Sequence, residues 1–203
     1  MPRYLLSLCV TLLIITAQAL PTSSLYTLPP LQLSDQDGQR FSFASRAGHP
    51  YLLAMFYASC TQSCPMQIAS LQHLQKFLIH QGRPQPEVLL ISFDSRHDTT
   101  SRLHQLATER HLQAPLFTLA RVEEGDLGML AAVLGISWHR RADGQFQHTS
   151  KIVLIDAQGD QLDTFDDDEL MQIDVINRVM TNIGGQALPL DQEPAHETEK
   201  IVR

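Results

Sequence analysis

The chain has 203 residues, of which 43% are hydrophobic, and this composition suits one globular domain with a sizeable core. Its formal net charge is -7, from 15 Lys and Arg residues against 22 Asp and Glu residues. An acidic surface repels phosphate backbones and anionic lipids, so we expect no nucleic-acid partner.

The N-terminal segment predicts export. Arg3 supplies a positive charge, Leu5 to Ile15 is apolar, and Ala17-Gln18-Ala19 offers the small residues that a signal peptidase needs. We therefore expect residues 1–19 to be a cleavable signal peptide and the mature protein to be periplasmic. The apolar run is short for a transmembrane helix, so a membrane-anchored form facing the periplasm is the alternative.

Three regions are predicted after the signal peptide. Residues 20–30 are rich in Pro and Ser and are typical of a linker. Residues 31–185 carry the strand and helix patterns of one domain. Residues 186–203 are polar, include two prolines and are predicted to be a disordered tail.

The domain begins with a predicted β-hairpin. Leu31-Gln32-Leu33 and Phe41-Ser42-Phe43 alternate apolar and polar residues around the turn signal Asp35-Gln36-Asp37-Gly38. The apolar run from Tyr51 to Tyr57 then predicts a strand buried on both faces. A helix should follow this strand, with Pro65 at its first position.

Strand and helix patterns alternate through the rest of the domain, which predicts an α/β fold with a partly parallel sheet. The predicted elements are a buried strand over 88–93, a helix over 99–112, a short strand over 115–119, a helix over 126–134, a hairpin over 138–147, a buried strand over 151–156, a strand over 162–165 and a helix over 169–183.

Two cysteines, Cys60 and Cys64, remain once signal-peptide cleavage removes Cys9. They lie where a buried strand leads into a helix, and the positive end of the helix dipole favours thiolates there. A disulfide across so short a loop would stabilise the fold little, which favours a redox-active dithiol or a metal site. Two thiolates are soft ligands that suit Cu(I), or zinc if further ligands complete a tetrahedron.

A metal site needs another ligand, and nine histidines are present. His148 lies three residues before the last buried strand, at a rim that is expected to face the cysteines, although a plain surface histidine is the alternative. His97, His104 and His111 recur every seven residues and predict a solvated stripe, with a second, weaker metal site as the alternative. His139 is a candidate auxiliary ligand near the same rim.

Other candidate residues are expected to have structural roles. Met55 and Met66 are soft enough to contact a metal but are predicted to lie in the core. Trp138 is expected to be a packing residue. Asp94 follows a predicted strand and would cap the turn into the next helix.

The chain resembles the Sco/SenC family of copper-binding proteins, which take part in cytochrome c oxidase maturation. The similarity runs from about Leu31 to Phe165. The matching segments are Ser34 to Gly38, Phe56 to Pro65, Asp94 with Asp98-Thr99, and His148 followed by Ile152 to Asp156. The resemblance implies a thioredoxin-like fold with a central mixed sheet flanked by helices. It also implies copper, as Cu(I) or as Cu(II) with an added water, bound by Cys60, Cys64 and His148. Asp94 would then contact or orient the copper ligands without binding copper itself.

The resemblance implies a copper chaperone rather than an enzyme. It would deliver copper to a partner such as an oxidase subunit, and a thiol reductant would keep its cysteines reduced. Two alternatives remain open: a thiol–disulfide reductase that keeps a partner's copper-site cysteines reduced, and a redox or copper sensor. The three-residue spacing between the cysteines, and the absence of proline between Gly135 and Asp156, favour metal binding over a thioredoxin-type dithiol.

Overall fold

The computed structural model describes residues 24–29, 31–122 and 124–189. These residues form nine strands and four helices. The strands are β1 Leu33–Asp35, β2 Arg40–Phe41, β3 Tyr51–Phe56, β4 Glu87–Ser92, β5 Phe117–Val122, β6 Trp138–Arg140, β7 Phe146–His148, β8 Ile152–Ile155 and β9 Gln161–Phe165. The helices are α1 Ser63–His80, α2 Thr100–Glu109, α3 Glu124–Val133 and α4 Ile173–Asn182. The predicted signal peptide lies outside the described residues.

Seven strands form a mixed sheet in the order β2-β1-β5-β4-β3-β8-β9. The β3–β4 and β4–β5 pairs are parallel and are connected through α1 and α2, whereas the remaining pairs are antiparallel. Gln72 of α1 donates a hydrogen bond to the carbonyl oxygen of Arg110 at the end of α2, so these helices lie side by side. This arrangement confirms the predicted α/β fold.

The continuous apolar strands build the core. All six residues of β3 and all four of β8 are at most 1% exposed, as expected for strands that are covered on both faces. The apolar face of α1 packs against this sheet through residues three or four positions apart, because that spacing places side chains on one side of a helix. These residues include Ile68, Leu71, Leu74 and Leu78.

Strand direction brings three loops to one edge of the sheet. Because β3 and β4 are parallel, the segments that follow Phe56 and Ser92 leave the sheet together. Strand β8 runs antiparallel to β3 and pairs Ile152 with Ala54, so the segment before β8 reaches the same edge. This edge therefore collects the cysteine loop, the loop after β4 and the approach to β8.

Strands β6 and β7 form a separate two-stranded hairpin, in which Trp138 pairs with His148. The hairpin ends shortly before β8, so His148 is carried to the edge of the main sheet. The sequence predicts a hairpin over 138–147, and the structure extends its second strand by one residue.

Three sequence predictions are corrected. Phe43, expected in a strand, starts a 3-10 turn that buries its ring, because β2 is only two residues long. Helix α4 begins at Ile173 rather than at residue 169, since Glu169 instead accepts a hydrogen bond from the Asp166 N–H in a preceding turn. Met66, expected in the core, is 67% exposed.

The described ends of the chain pack on the domain. Leu25, inside the predicted linker, is buried and its N–H donates to the carbonyl oxygen of Gly159 at 2.9 Å. Leu188, inside the predicted tail, is also buried, and its carbonyl oxygen accepts a hydrogen bond from Asn177. Within the described residues, no helix is both long and apolar enough to cross a membrane.

Candidate metal centre

The cysteine loop places two sulfur atoms at the start of α1. Cys60 N–H donates to the carbonyl oxygen of Tyr57, which closes the turn after β3. The N-cap residue of α1, Gln62, makes no side-chain capping bond. Instead, Cys64 N–H points to the Cys60 sulfur at 3.4 Å, so this sulfur satisfies an N–H group of the first helical turn. Both thiols are free, with Cys60 partly exposed and Cys64 buried.

His148 reaches this loop from the hairpin. Its Nε2 atom lies 3.8 Å from the Sγ atom of Cys64. Its Nδ1 atom lies 3.2 Å from the carbonyl oxygen of Thr149 and donates there when it carries the proton. That tautomer leaves the Nε2 lone pair directed at the cysteines, which is the form that binds a metal.

The distances suit one metal ion between sulfur and nitrogen. A zinc ion bonded at about 2.3 Å to a thiolate and about 2.0 Å to an imidazole separates those atoms by about 3.7 Å at a trigonal angle. The Cys64–His148 separation of 3.8 Å matches that span. Among residues 24–29, 31–122 and 124–189, no group of three or more His, Cys, Asp or Glu side chains is already arranged around a common metal position.

The two thiols differ in acidity. A hydrogen bond from the Cys64 thiol, helped by His148 and by backbone N–H groups, lowers the pKa of Cys60 to about 3, although partial burial opposes the shift. The hydrogen bond to the Cys60 thiolate and its own burial raise the pKa of Cys64. At neutral pH the pair therefore holds a partly exposed Cys60 thiolate, which accepts a hydrogen bond from the buried Cys64 thiol.

Asp98 supports the cysteine loop through hydrogen bonds. Its carboxylate accepts hydrogen bonds from Ala58 N–H at 2.8 Å and from the Ser92 hydroxyl. Arg102 reaches the carbonyl oxygen of the same Ala58. The start of α2 thus holds the peptide groups of a residue two positions before Cys60. The Asp98-Thr99 pair stands out in the sequence, but its contact with residue 58 becomes visible only in the fold.

An aromatic cluster surrounds the His148 ring. The Phe93 ring centre lies 4.7 Å from that of His148, and the Tyr57 ring meets it edge-on at 6.2 Å. Trp138 and Phe146 from the hairpin pack on Phe93 at 6.0 and 6.3 Å. Trp138 is a packing residue, as predicted. The cluster fixes the imidazole between the hairpin and the ends of β3 and β4.

The model of the SCO1/SenC family matches residues 21–183. The chain belongs to the SCO1/SenC family. Solved structures share its fold, so the SCO1/SenC domain of this chain is thioredoxin-like. Arabidopsis thaliana ScoI, solved with copper bound, has a TM-score of 0.64 and 19% identity, covering 75% of this chain and 98% of the other. BsSco, described as a member of the Sco family of cytochrome c oxidase assembly proteins, has a TM-score of 0.66 and 21% identity, covering 81% and 96%.

A curated relative is also similar to part of this SCO1/SenC chain. It is a Stutzerimonas stutzeri protein named "Putative copper-binding protein", 30% identical over 76 residues. The match covers 37% of this chain, and the chain spans 37% of the length of that relative.

The other predicted residues of this SCO1/SenC protein lie around the centre rather than in it. Asp94 is buried at the end of β4, and its carboxylate lies 2.7 Å from Nδ1 of His97. Its carbonyl oxygen accepts hydrogen bonds from the N–H groups of His97 and Asp98, so Asp94 organises the turn before α2. His139 neighbours Trp138 in β6, and alternation along a strand places it on the face of the hairpin away from His148.

The histidine stripe is exposed but does not share one helical face. His97 lies before α2, His104 within it, where it contacts Asp37, and His111 after it. Met66 and Asp166 to Asp168 line an open cavity of about 460 Å³. Burial is the main cause that raises the pKa of Asp167 there.

Proposed function

We propose that this protein binds one copper ion through Cys60, Cys64 and His148 and delivers it to a copper-accepting partner protein. The observation that carries the proposal is the approach of His148 Nε2 to the Cys64 sulfur at 3.8 Å, beside a second cysteine in the loop that leads into the same helix. Asp94 would support this site through the turn that it organises.

The donor set suits Cu(I). Two thiolates are soft ligands, and an imidazole adds a borderline nitrogen donor. The lowered pKa of Cys60 supplies one thiolate before the metal arrives, whereas Cys64 must release its proton on binding. Because Cys60 is partly exposed, an incoming ligand of the partner would replace it first. Transfer by ligand exchange leaves the oxidation state of copper unchanged.

The names of relatives support copper as the cargo. Structures of Arabidopsis thaliana ScoI and yeast Sco1 were solved with copper bound, and the Stutzerimonas stutzeri relative is named for copper binding. BsSco belongs to a family of cytochrome c oxidase assembly proteins. We extend both properties to this chain and propose an oxidase subunit as a partner.

The redox state of the cysteines would control binding. Transfer of two electrons from the Cys60 thiolate and the Cys64 thiol to an external oxidant, with release of one proton, forms a disulfide, which removes both thiolate donors. A thiol reductant is then needed to restore the site. Export by the predicted signal peptide, or a membrane-anchored form facing the periplasm, would place the protein where such oxidation occurs.

A thiol–disulfide reductase is the second candidate, and the unequal thiols favour it. The Cys60 thiolate would attack a partner's disulfide and release one partner thiolate. Cys64, after losing its proton to that leaving thiolate, would attack the mixed disulfide and release the second. The partner gains two electrons, and a Cys60–Cys64 disulfide remains.

Anaerobic competition of the reduced protein with a chromophoric Cu(I) chelator tests the proposal. We expect one copper per chain, and loss of that copper in Cys60→Ser and Cys64→Ser variants. Met66→Leu is the matched control, because it removes an exposed sulfur near the site and should retain copper. A Cys60→Ser/Cys64→Ser variant that still binds one copper would overturn the site. A wild-type protein that binds no copper but reduces a disulfide-containing peptide would favour the reductase.

A further inference from the structure

The hairpin that carries His148 depends on contacts with the rest of the domain. Its two strands hydrogen-bond to each other and form a sheet of their own. An isolated two-stranded hairpin is marginally stable in water. The position of His148 is therefore set by the contacts that join the hairpin to the ends of β3 and β4.

Tyr57 makes such a contact from the cysteine loop itself. Its hydroxyl donates a hydrogen bond to Oε1 of Gln145, near the hairpin tip, at 2.8 Å. Its ring meets the Phe146 ring at 5.1 Å, and its carbonyl oxygen accepts the Cys60 N–H bond at 3.1 Å. The side chain is nearly buried, at 4% exposed. One residue thus contacts both the loop of Cys60 and the hairpin of His148.

The Tyr57 hydroxyl has a single proton, and the hydrogen bond to the Gln145 amide oxygen uses it.

We propose that Tyr57 is a positioning residue. Its hydroxyl connects the cysteine loop to the β6–β7 hairpin through the hydrogen bond to Gln145, and this bond holds His148 beside the two sulfurs. The effect on copper rests on the function proposed above, whereas the effect on the hairpin does not. Loss of this hydrogen bond leaves all three donor atoms present but lets the imidazole move away from the two sulfurs more often. Copper would then be released faster from an unchanged set of ligands.

Tyr57→Phe removes one oxygen atom and keeps the ring that packs on Phe146. Gln145→Ala removes the other end of the same bond. Tyr26→Phe is a matched control, since the Tyr26 hydroxyl donates to the carbonyl oxygen of Arg46 in another part of the domain. The double variant Tyr57→Phe/Gln145→Ala shows whether the two side chains act through one bond.

Hydrogen exchange of the reduced, copper-free protein is the first measurement. Losing one hydrogen bond of ordinary strength should speed exchange of hairpin amides three- to tenfold in both single variants. Useful amides are those of Arg141, which donates to Gln145, and Thr149, which donates to Ser137. Tyr26→Phe should leave their exchange unchanged. Hairpin exchange in Tyr57→Phe at the wild-type rate would overturn the inference.

Release of Cu(I) to a chelator is the second measurement. We expect release to be three- to tenfold faster than wild type in each single variant. In the double variant it should be no faster than in either single variant. Independent, multiplying effects of the two changes would also overturn the inference. If the wild-type protein binds no copper, the proposed function fails, and hydrogen exchange still decides whether Tyr57 holds the hairpin.

Discussion

The Nε2 atom of His148 lies 3.8 Å from the Sγ atom of Cys64, although 84 positions separate the two residues in the chain. Their meeting follows from strand direction. Strand β3 ends where the cysteine loop begins, and β8 starts at the same edge because it runs antiparallel to β3. The hairpin before β8 is therefore the element that delivers the imidazole.

The two thiols should react at different rates with an alkylating agent. Because the pKa of Cys60 is lowered to about 3 and that of Cys64 is raised, Cys60 is a thiolate throughout the neutral range. We expect iodoacetamide to modify Cys60 first, at a rate nearly constant from about pH 5 to about pH 8. Mass spectrometry of quenched digests locates the label.

The Cys64→Ala variant is informative beside it, because it removes the thiol whose hydrogen bond is the main cause that lowers the pKa of Cys60. Alkylation of Cys60 should then slow at about pH 5. A wild-type rate that climbs about tenfold per pH unit between about pH 6 and about pH 8 would contradict the assigned acidity.

Asp98 should stabilise both the fold and the loop of Cys60. Asp98→Ala leaves the partly buried N–H of Ala58 without its acceptor, which costs about 1–2 kcal/mol of unfolding free energy. Asp98→Asn retains an oxygen acceptor and should cost less. Urea denaturation of the three proteins measures the difference, and equal losses in the two variants would argue against the bond to Ala58.

The difference in unfolding free energy between wild type and Asp98→Asn should also depend on pH. Burial is the main cause that raises the pKa of Asp98 in the folded state, so the folded protein holds this proton more tightly than the unfolded chain. This stabilisation is complete below the unfolded pKa and is lost as the pH rises through the folded pKa. Wild type should therefore gain stability relative to Asp98→Asn as the pH falls from about 7 to about 4. A difference that stays constant over this range would refute the shift.

Phe93 should couple fold stability to the position of His148. Its ring is 2% exposed and contacts the rings of Trp138, Phe146 and His148. Phe93→Ala should lower the unfolding free energy by about 3–5 kcal/mol and speed copper release.

Phe117→Ala is the matched control for that change, since Phe117 is 3% exposed at the start of β5, where it pairs with Val88 at the opposite edge of the sheet from the hairpin. It should reduce stability to a similar extent and leave copper release unchanged. Equal rates of release from the two variants would show that the aromatic cluster does not position the imidazole.

The strands that set the site could be predicted from the sequence. Continuous apolar runs mark β3, β4 and β8, as is typical of strands that are buried on both faces. The turn between β3 and α1 was likewise evident from Cys60 to Pro65. His148 could be predicted as a ligand from its position before β8 and from the resemblance to a family. A histidine alone would not have indicated a metal site.

The contacts that complete the site could not be predicted in this way. Tyr57 ends an apolar run and is typical of a strand residue, so nothing local indicates that its hydroxyl meets Gln145, 88 positions away. The bond from Ala58 to Asp98 depends on how α2 docks against the loop. Met66 lies two positions after Cys64 in α1, and it is exposed because it lies on the solvent side of the helix, whereas Cys64 and Gln67 lie on the buried side. The signal peptide remains a prediction.

X-ray absorption at the copper edge of the Cu(I)-loaded, reduced protein tests the central claim most directly. We expect two sulfur neighbours and one imidazole nitrogen, the latter recognised by the outer-shell scattering of its ring. In His148→Ala the ring scattering should disappear while both sulfurs remain. Wild-type copper without an imidazole neighbour, or ring scattering that persists in His148→Ala, would contradict the three-ligand centre.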